Sequence, residues 1–173
     1  MPQRTTFMAQ LFSLPTLLLL FLIPIIAAAA TNSTSGLTDP FLAPHNAVRS
    51  ALGLPLMVWD PRLARYAEAF AWRRRADCAL VHSSGTYGEN LFWGSGTGWA
   101  PSQAVAAWAA ERRWYQRRTN ACIAGKQCGH YTQIVWRDTR RLGCSSVQCL
   151  GDRGQVMVCE YDPPGNYIGE RPY

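Results

Sequence analysis

The sequence predicts an α+β fold in which helices pack on an antiparallel sheet. Three observations carry it. Helix signals fill the first half of the chain, two β-rich segments close around a turn near its end, and six cysteines in a chain with an export leader staple it together.

Each element follows in order. Arg4, the apolar run Leu11–Ile26 and the small residues Ala27–Ala30 form a signal peptide over residues 1–30. The run is short and holds Pro15 and Pro24, so it reads as a cleaved leader rather than an anchor. Residues 31–37 are a polar, flexible mature N-terminus with a glycosylation sequon at Asn32. Residues 38–173 form one domain. A first helix is expected over Pro44–Leu52, stopped by Gly53 and Pro55, followed by a short strand, Leu56–Trp59. Asp60 before Pro61 is a strong helix start, and Leu63, Ala67, Phe70 and Ala71 form the stripe of a helix running to about Ala76. Residues Ser83–Pro101, rich in glycine and aromatics, read as a long loop. Ser102 caps a helix from Gln103 to about Tyr115. Strands Leu142–Gln148 and Gln155–Tyr161 flank the turn Gly151–Gly154.

The cysteines lack the CxxC pairs of a zinc cluster, and an even count in an exported chain implies disulfides. Cys144 and Cys149 lie an odd number of residues apart and face opposite sides of a regular strand. Cys144 therefore reaches across the hairpin to Cys159, and Cys149 is left for the distant Cys78. Cys122 and Cys128 close a local loop. The net charge is +6, arginine-dominated, with clusters at 73–75, 112–113, 117–118 and 140–141. Most of this is solvated surface; an anionic cell-wall polymer or membrane surface is the partner class it admits, while no nucleic acid partner and a monomer are expected.

Chemistry-bearing residues are few. By helical period Ala104, Trp108, Glu111 and Tyr115 share a face, which sets a carboxylate among apolar groups. The only histidines are His45, His82 and His130, and Glu89 sits in the glycine-rich segment. The stretches Phe41-Leu42-x-x-His45-Asn46-x-x-Arg49, Gly88-Glu89-Asn90-Leu91, Trp108-x-x-Glu111 and Gly129-His130-Tyr131-Thr132-Gln133, with the ending from Cys159 through Asp162-Pro163-Pro164-Gly165-Asn166-Tyr167 to Tyr173, closely resemble the CAP superfamily. The ending resembles its plant pathogenesis-related protein 1 group. The resemblance implies an α-β-α sandwich with three disulfides and a central cleft of two histidines and two glutamates. Carried over by motif, these are His45, Glu89, Glu111 and His130, with His82 left as structural. It also implies divalent cation binding at the tetrad, zinc for instance, with no cofactor required. Sterol or other lipid binding is implied nearby, together with extracellular antifungal and anti-oomycete action in the apoplast. The tail, residues 163–173, resembles a releasable signalling peptide; Glu160 stands where the group usually has Asn.

Two functional classes stay open. A binding module would use Phe92, Trp93 and Trp99 as an apolar mouth for lipid. A metal-assisted or His/Glu hydrolase would use the tetrad, but no GxSxG or HExxH motif is present. The residues favour binding over catalysis, so no catalytic residue is assigned.

Overall fold

The computed structural model describes Met1 and residues 39–173. The expected leader over residues 1–30, the segment 31–37 and Asn32 lie outside the described residues. Among the described residues no helix is long and apolar enough to cross a membrane.

Helix α1 spans Leu42–Ser50, two residues earlier than the position of Pro44 suggests. The Asp39 carboxylate accepts from the Phe41 and Leu42 amides at 2.9 and 3.1 Å and nucleates the first turn. Pro44 falls within that turn, where its missing N–H costs nothing. The short strand β1 is Val58–Trp59. Helix α2, Pro61–Arg74, is capped by Asp60, whose side chain accepts from the Arg62 amide. The expected long loop contains strand β2, Gly88–Gly94. Its glycines and short apolar run hid a strand that is paired along its whole length. Helix α3, Pro101–Ala110, tightens into a 3-10 turn over Glu111–Trp114. A two-residue hairpin follows, β3 (Tyr115–Gln116) and β4 (Ala121–Cys122). The unforeseen helix α4, Gly129–Ile134, is only six residues long. Strands β5, Arg141–Gln148, and β6, Gln155–Asp162, form the expected hairpin.

The four-stranded sheet has the order β1-β5-β6-β2, with β1 parallel to β5 and the other pairs antiparallel. Strand parity sorts its faces. On one side α2 buries Ala67, Phe70 and Ala71 against Leu91, Val147, Val156 and Val158. On the other, α1, α3 and α4 bury Leu42, Trp108, Tyr131 and Ile134 against Leu142, Met157 and Tyr161. The result is three layers, helix, sheet, helix, with each fully buried aliphatic contributing about 1.5–3 kcal/mol. Gly143 lets α2 lie directly on β5, since a Cβ there would overlap the backbone of Leu63 and Ala64.

Three disulfides join Cys78–Cys149, Cys122–Cys128 and Cys144–Cys159, and no cysteine is free. Cys144 and Cys159 stand opposite each other in the β5–β6 register, as strand parity requires. Arg49 is wholly buried and donates to the carbonyls of Pro55, Ile134, Trp136, Arg137 and Thr139. It thereby fixes the exit of α4. The C-terminal segment carries no strand and residues 166–171 are exposed, as its prolines and glycines suggest, but hydrogen bonds tie it to the domain. The Arg137 amide donates to the Pro172 carbonyl at 2.7 Å, and the Tyr173 and Tyr131 hydroxyls meet at 2.9 Å. Asn120 donates to the Glu170 carbonyl, and Thr132 to the Asn166 side chain. Asp162 ends β6 and Pro163 accepts from Thr139, so the junction expected to be cut is itself hydrogen-bonded.

Candidate functional site

The edge strand β2 organises the site. Glu89 and Leu91 project toward α2, while Gly88, Asn90 and Phe92 project to the other face. A cleft of ≈ 590 Å³ wraps this edge, with Glu89, Asn90, His82, His130, Gln133 and Asn166 in its walls. Gly88 is required there because a Cβ would overlap the Gln133 side chain.

His130 enters from the first turn of α4. Its Nδ1 lies 2.7 Å from Glu111 Oε1, and Glu111 Oε2 accepts from the amides of His130 and Tyr131 at 3.0 and 3.3 Å. One carboxylate thus caps the short helix and orients the imidazole. Burial alone would raise the Glu111 carboxyl. The His130 ring and the two amides outweigh it, holding the group below its ordinary value. Glu111 reaches this place because α3 tightens into the 3-10 turn, which swings it off the buried Trp108 stripe. The Trp108 indole stacks near His130, with centroids 6.2 Å apart, and donates to the Leu91 carbonyl. Asn90 donates to the His130 carbonyl at 3.1 Å, tying α4 to β2.

A second imidazole–carboxylate pair lies at the other end. His82 Nδ1 is 2.6 Å from Glu89 Oε1, which also accepts from the Ser83 amide at 3.0 Å. The His82 side chain is 64% exposed and that of Glu89 only 5%. Glu89 Oε2 meets no N–H donor. Directly opposite in register is Glu160, fully buried, with neither oxygen meeting a protein donor. Burial, then the Glu89 charge, then a carboxyl–carboxylate hydrogen bond to Glu89 push Glu160 up to about 9. Glu160 is therefore protonated at neutral pH.

Of the expected tetrad, Glu89 and His130 line the cleft and Glu111 stands behind His130, holding its ring. His45 does not line the cleft. It is fully buried, with Nδ1 2.7 Å from the Phe41 carbonyl and Nε2 2.7 Å from the Tyr161 hydroxyl. Burial drives its pKa down to about 4, the Phe41 bond opposing and the Arg49 charge reinforcing. His45, Asn46 and Arg49 share one helix face with Leu42, and that face is core. His82, set aside as structural, takes the place beside Glu89. The signal was available: His82 sits in the polar run Ser83-Ser84-Gly85, seven residues before Glu89. Glu160 was read only as a departure from the tail pattern, though its pairing with β2 makes it a neighbour of the cleft.

The aromatics of the expected lipid mouth are divided. Phe92 and Trp99 stack edge to face, centroids 5.3 Å apart, and the Trp99 ring fills the space over Gly94. They anchor the loop. Trp93 alone is open, 42% exposed, its indole N–H donating to the Arg153 carbonyl.

Among the described residues no three His, Cys, Asp or Glu side chains form a preassembled metal cluster. The donor chemistry of the cleft nonetheless suits a cation. Each imidazole has Nδ1 held by a carboxylate, which leaves Nε2 as the lone-pair nitrogen, and Glu89 adds a buried carboxylate to the cleft wall.

Comparison with known proteins places this geometry. Residues 42–161 match the profile described as Cysteine-rich secretory protein family, CAP. The chain is 51% identical over 166 residues to Pathogenesis-related protein PR-1 of Medicago truncatula, covering 94% of this chain and 96% of that protein. It is 46% identical over 162 residues to Pathogenesis-related protein 1C of Nicotiana tabacum, covering 94% of each. Among solved structures it resembles NaASP2 with Zn2+ at a TM-score of 0.65 and 27% identity, over 78% of this chain and 83% of that one. The venom allergen-like protein 4 of Schistosoma mansoni gives a TM-score of 0.62 at 25% identity, over 82% and 94%. With the sandwich, the three bridges and these relatives together, the chain belongs to the CAP family and is of the plant pathogenesis-related protein 1 type.

Proposed function

We propose that this chain is an extracellular defence protein that acts by binding, and that its edge-strand cleft takes a divalent cation through His82 and His130. The observation that carries the reading is the pair of imidazoles in one cleft, each with Nδ1 fixed by a carboxylate. The related NaASP2 is known as a crystal structure with Zn2+. The Glu89 carboxylate in the cleft wall adds an acidic group. A bound cation would supply Lewis acidity and a positive charge at the cleft mouth. The chain's own residues orient the two rings, neutralise Glu160 with a proton and hold α4 against β2.

Signal-peptide export and an apoplastic location fit the leader and the three disulfides. Sterol or lipid capture with antifungal action is a second reading, supported by the exposed Trp93. Release of residues 163–173 as a peptide would first have to break the tail's hydrogen bonds, so the intact domain is read as the working form. Calorimetric zinc titration tests the primary reading. His82→Ala and His130→Ala should each weaken binding at least tenfold, and Glu111→Gln should weaken it about 10- to 100-fold by unfixing the ring. Wild-type affinity in both histidine variants would sink it.

A further inference from the structure

We infer that the β3–β4 hairpin and the C-terminal tail together form a docking face for an anionic lipid bilayer. This face adjoins the cleft, sharing Cys122 and Asn166 with its wall, but its cations and apolar tips lie outside that lining, so it stands whether or not a cation binds there. Its residues are linked by direct contacts. Lys126 and Arg113 lie against the Trp114 ring, at 4.9 and 4.6 Å from its centroid. The Ile123 amide donates to the Trp114 carbonyl. Arg117 lies over the Tyr173 ring at 4.8 Å, and Arg171 donates to the carbonyls of Arg117 and Arg118. The tail and the hairpin are thus one surface.

Positive charge on it is in excess, six cations against Glu170 and the terminal carboxylate of Tyr173. Arg112, Arg113, Arg117, Arg118, Lys126 and Arg171 are all exposed, and among the described residues none forms an ion pair with a carboxylate. The acidic side chains on these segments are Glu111, which His130 engages, and Glu170. Guanidinium groups spent on rings and carbonyls keep their full charge, so the contacts that order this face leave its field intact. Six cations within two adjoining segments attract a surface bearing many negative charges, and the attraction falls with salt over a Debye length of about 8 Å.

A second observation chooses the bilayer over a soluble polyanion. Ile123, Tyr167 and Ile168 stand out on the same segments, 38%, 51% and 104% exposed. Branched aliphatic side chains bring nothing to an anionic polysaccharide or a nucleic acid backbone. Beside arginines and a tyrosine, they match the headgroup–acyl boundary, where apolar tips enter and cations stay among the phosphates.

Flotation of the disulfide-bonded protein with vesicles tests this. The vesicles are phosphatidylcholine alone or phosphatidylcholine with about a third phosphatidylserine, at several salt concentrations. Wild type should float only with the anionic vesicles, and the logarithm of its partition coefficient should fall steadily with the logarithm of salt. Replacing Arg112, Arg113, Arg118 and Lys126 together by Gln should lower partitioning by about three orders of magnitude. Ile123→Ser with Ile168→Ser should lower it roughly tenfold with an unchanged salt dependence. Wild-type binding needs no variant to fold, so equal flotation with neutral and anionic vesicles overturns the proposal outright. Isoleucine variants that bind as wild type, with equal binding of the protein to a polyuronate, overturn the choice of a bilayer. Zinc titration of the same preparations reports on the cleft independently.

Discussion

Glu160→Gln should stabilise this protein at neutral pH, and the gain follows from the buried pair on β2 and β6. Glu160 is fully buried opposite Glu89 with no protein donor, and its carboxyl is raised from 4.5 to about 9. Folding at pH 7 therefore obliges an ionised carboxylate of the unfolded chain to take up a proton. A carboxyl with a raised folded value contributes its full stability below about 4.5 and loses it as pH climbs toward 9. The loss is about 1.4 kcal/mol per pH unit, so about 3 kcal/mol at pH 7. Glutamine has the same shape, carries no charge in either state and keeps an N–H donor toward Glu89 in place of the carboxyl proton. Relative to wild type, the variant should match it near pH 4.5 and exceed it by about 3 kcal/mol at pH 7. At about 2–4 °C per kcal/mol, that is on the order of 10 °C in Tm. Thermal unfolding followed by circular dichroism at pH 4.5, 5.5, 7.0 and 8.0, with EDTA present, measures the difference. Two parallel curves, or a variant less stable at pH 7, would refute the reasoning.

Two other predictions concern the frame. His45→Ala should cost about 2–4 kcal/mol, because it empties a packed site and leaves the Tyr161 hydroxyl with only its bond from Asn90, yet should leave zinc affinity unchanged; a lost zinc site in a folded variant would return His45 to the cleft. Removing the Cys78–Cys149 bridge, which spans 71 residues, should cost about 4 kcal/mol on the chain-entropy picture, against about 2.4 kcal/mol for Cys122–Cys128, and denaturant melts of the paired alanine variants decide whether that order holds.

What was legible in the sequence was local or periodic. Asp60-Pro61 announces α2 because cap and first-turn proline act within a few residues, and two of the disulfides followed from strand parity, the third from the short spacing of Cys122 and Cys128. Strand β2 was not legible: its apolar run is short and its identity as a strand is conferred by β6 along the full register. The site was misread in one place for a related reason. His45 lies in a conspicuous motif, but that motif is a packing device. Asn46 exchanges two hydrogen bonds with the Met57 backbone, Arg49 gathers carbonyls and His45 reaches Tyr161. His82 stands in an unremarkable polar loop, and only the fold brings it to Glu89. Glu160 is the clearest case, since its meaning depends on a neighbour seventy-one residues away in sequence, opposite it on the adjacent strand.

The two buried titrating groups also explain why acid stability in this chain calls for variants rather than a single wild-type profile. His45 has a folded value lowered from 6.5 to about 4, so the unfolded chain binds the extra proton and stability declines as pH falls from 6.5 to 4. Glu160 has the opposite sign, and its contribution grows as pH falls from 9 to 4.5. Between 4.5 and 6.5 each contributes a slope of about 1.4 kcal/mol per unit, in opposite directions, and the two cancel. Above 6.5 the histidine is neutral in both states and only Glu160 remains, so stability declines toward alkaline pH. The fold thus sets a core imidazole against a core carboxyl on opposite faces of one strand, Glu160 beside β2 and His45 on the neighbouring Tyr161. Glu160→Gln breaks the balance and exposes the histidine alone, turning a flat region into one that rises with pH.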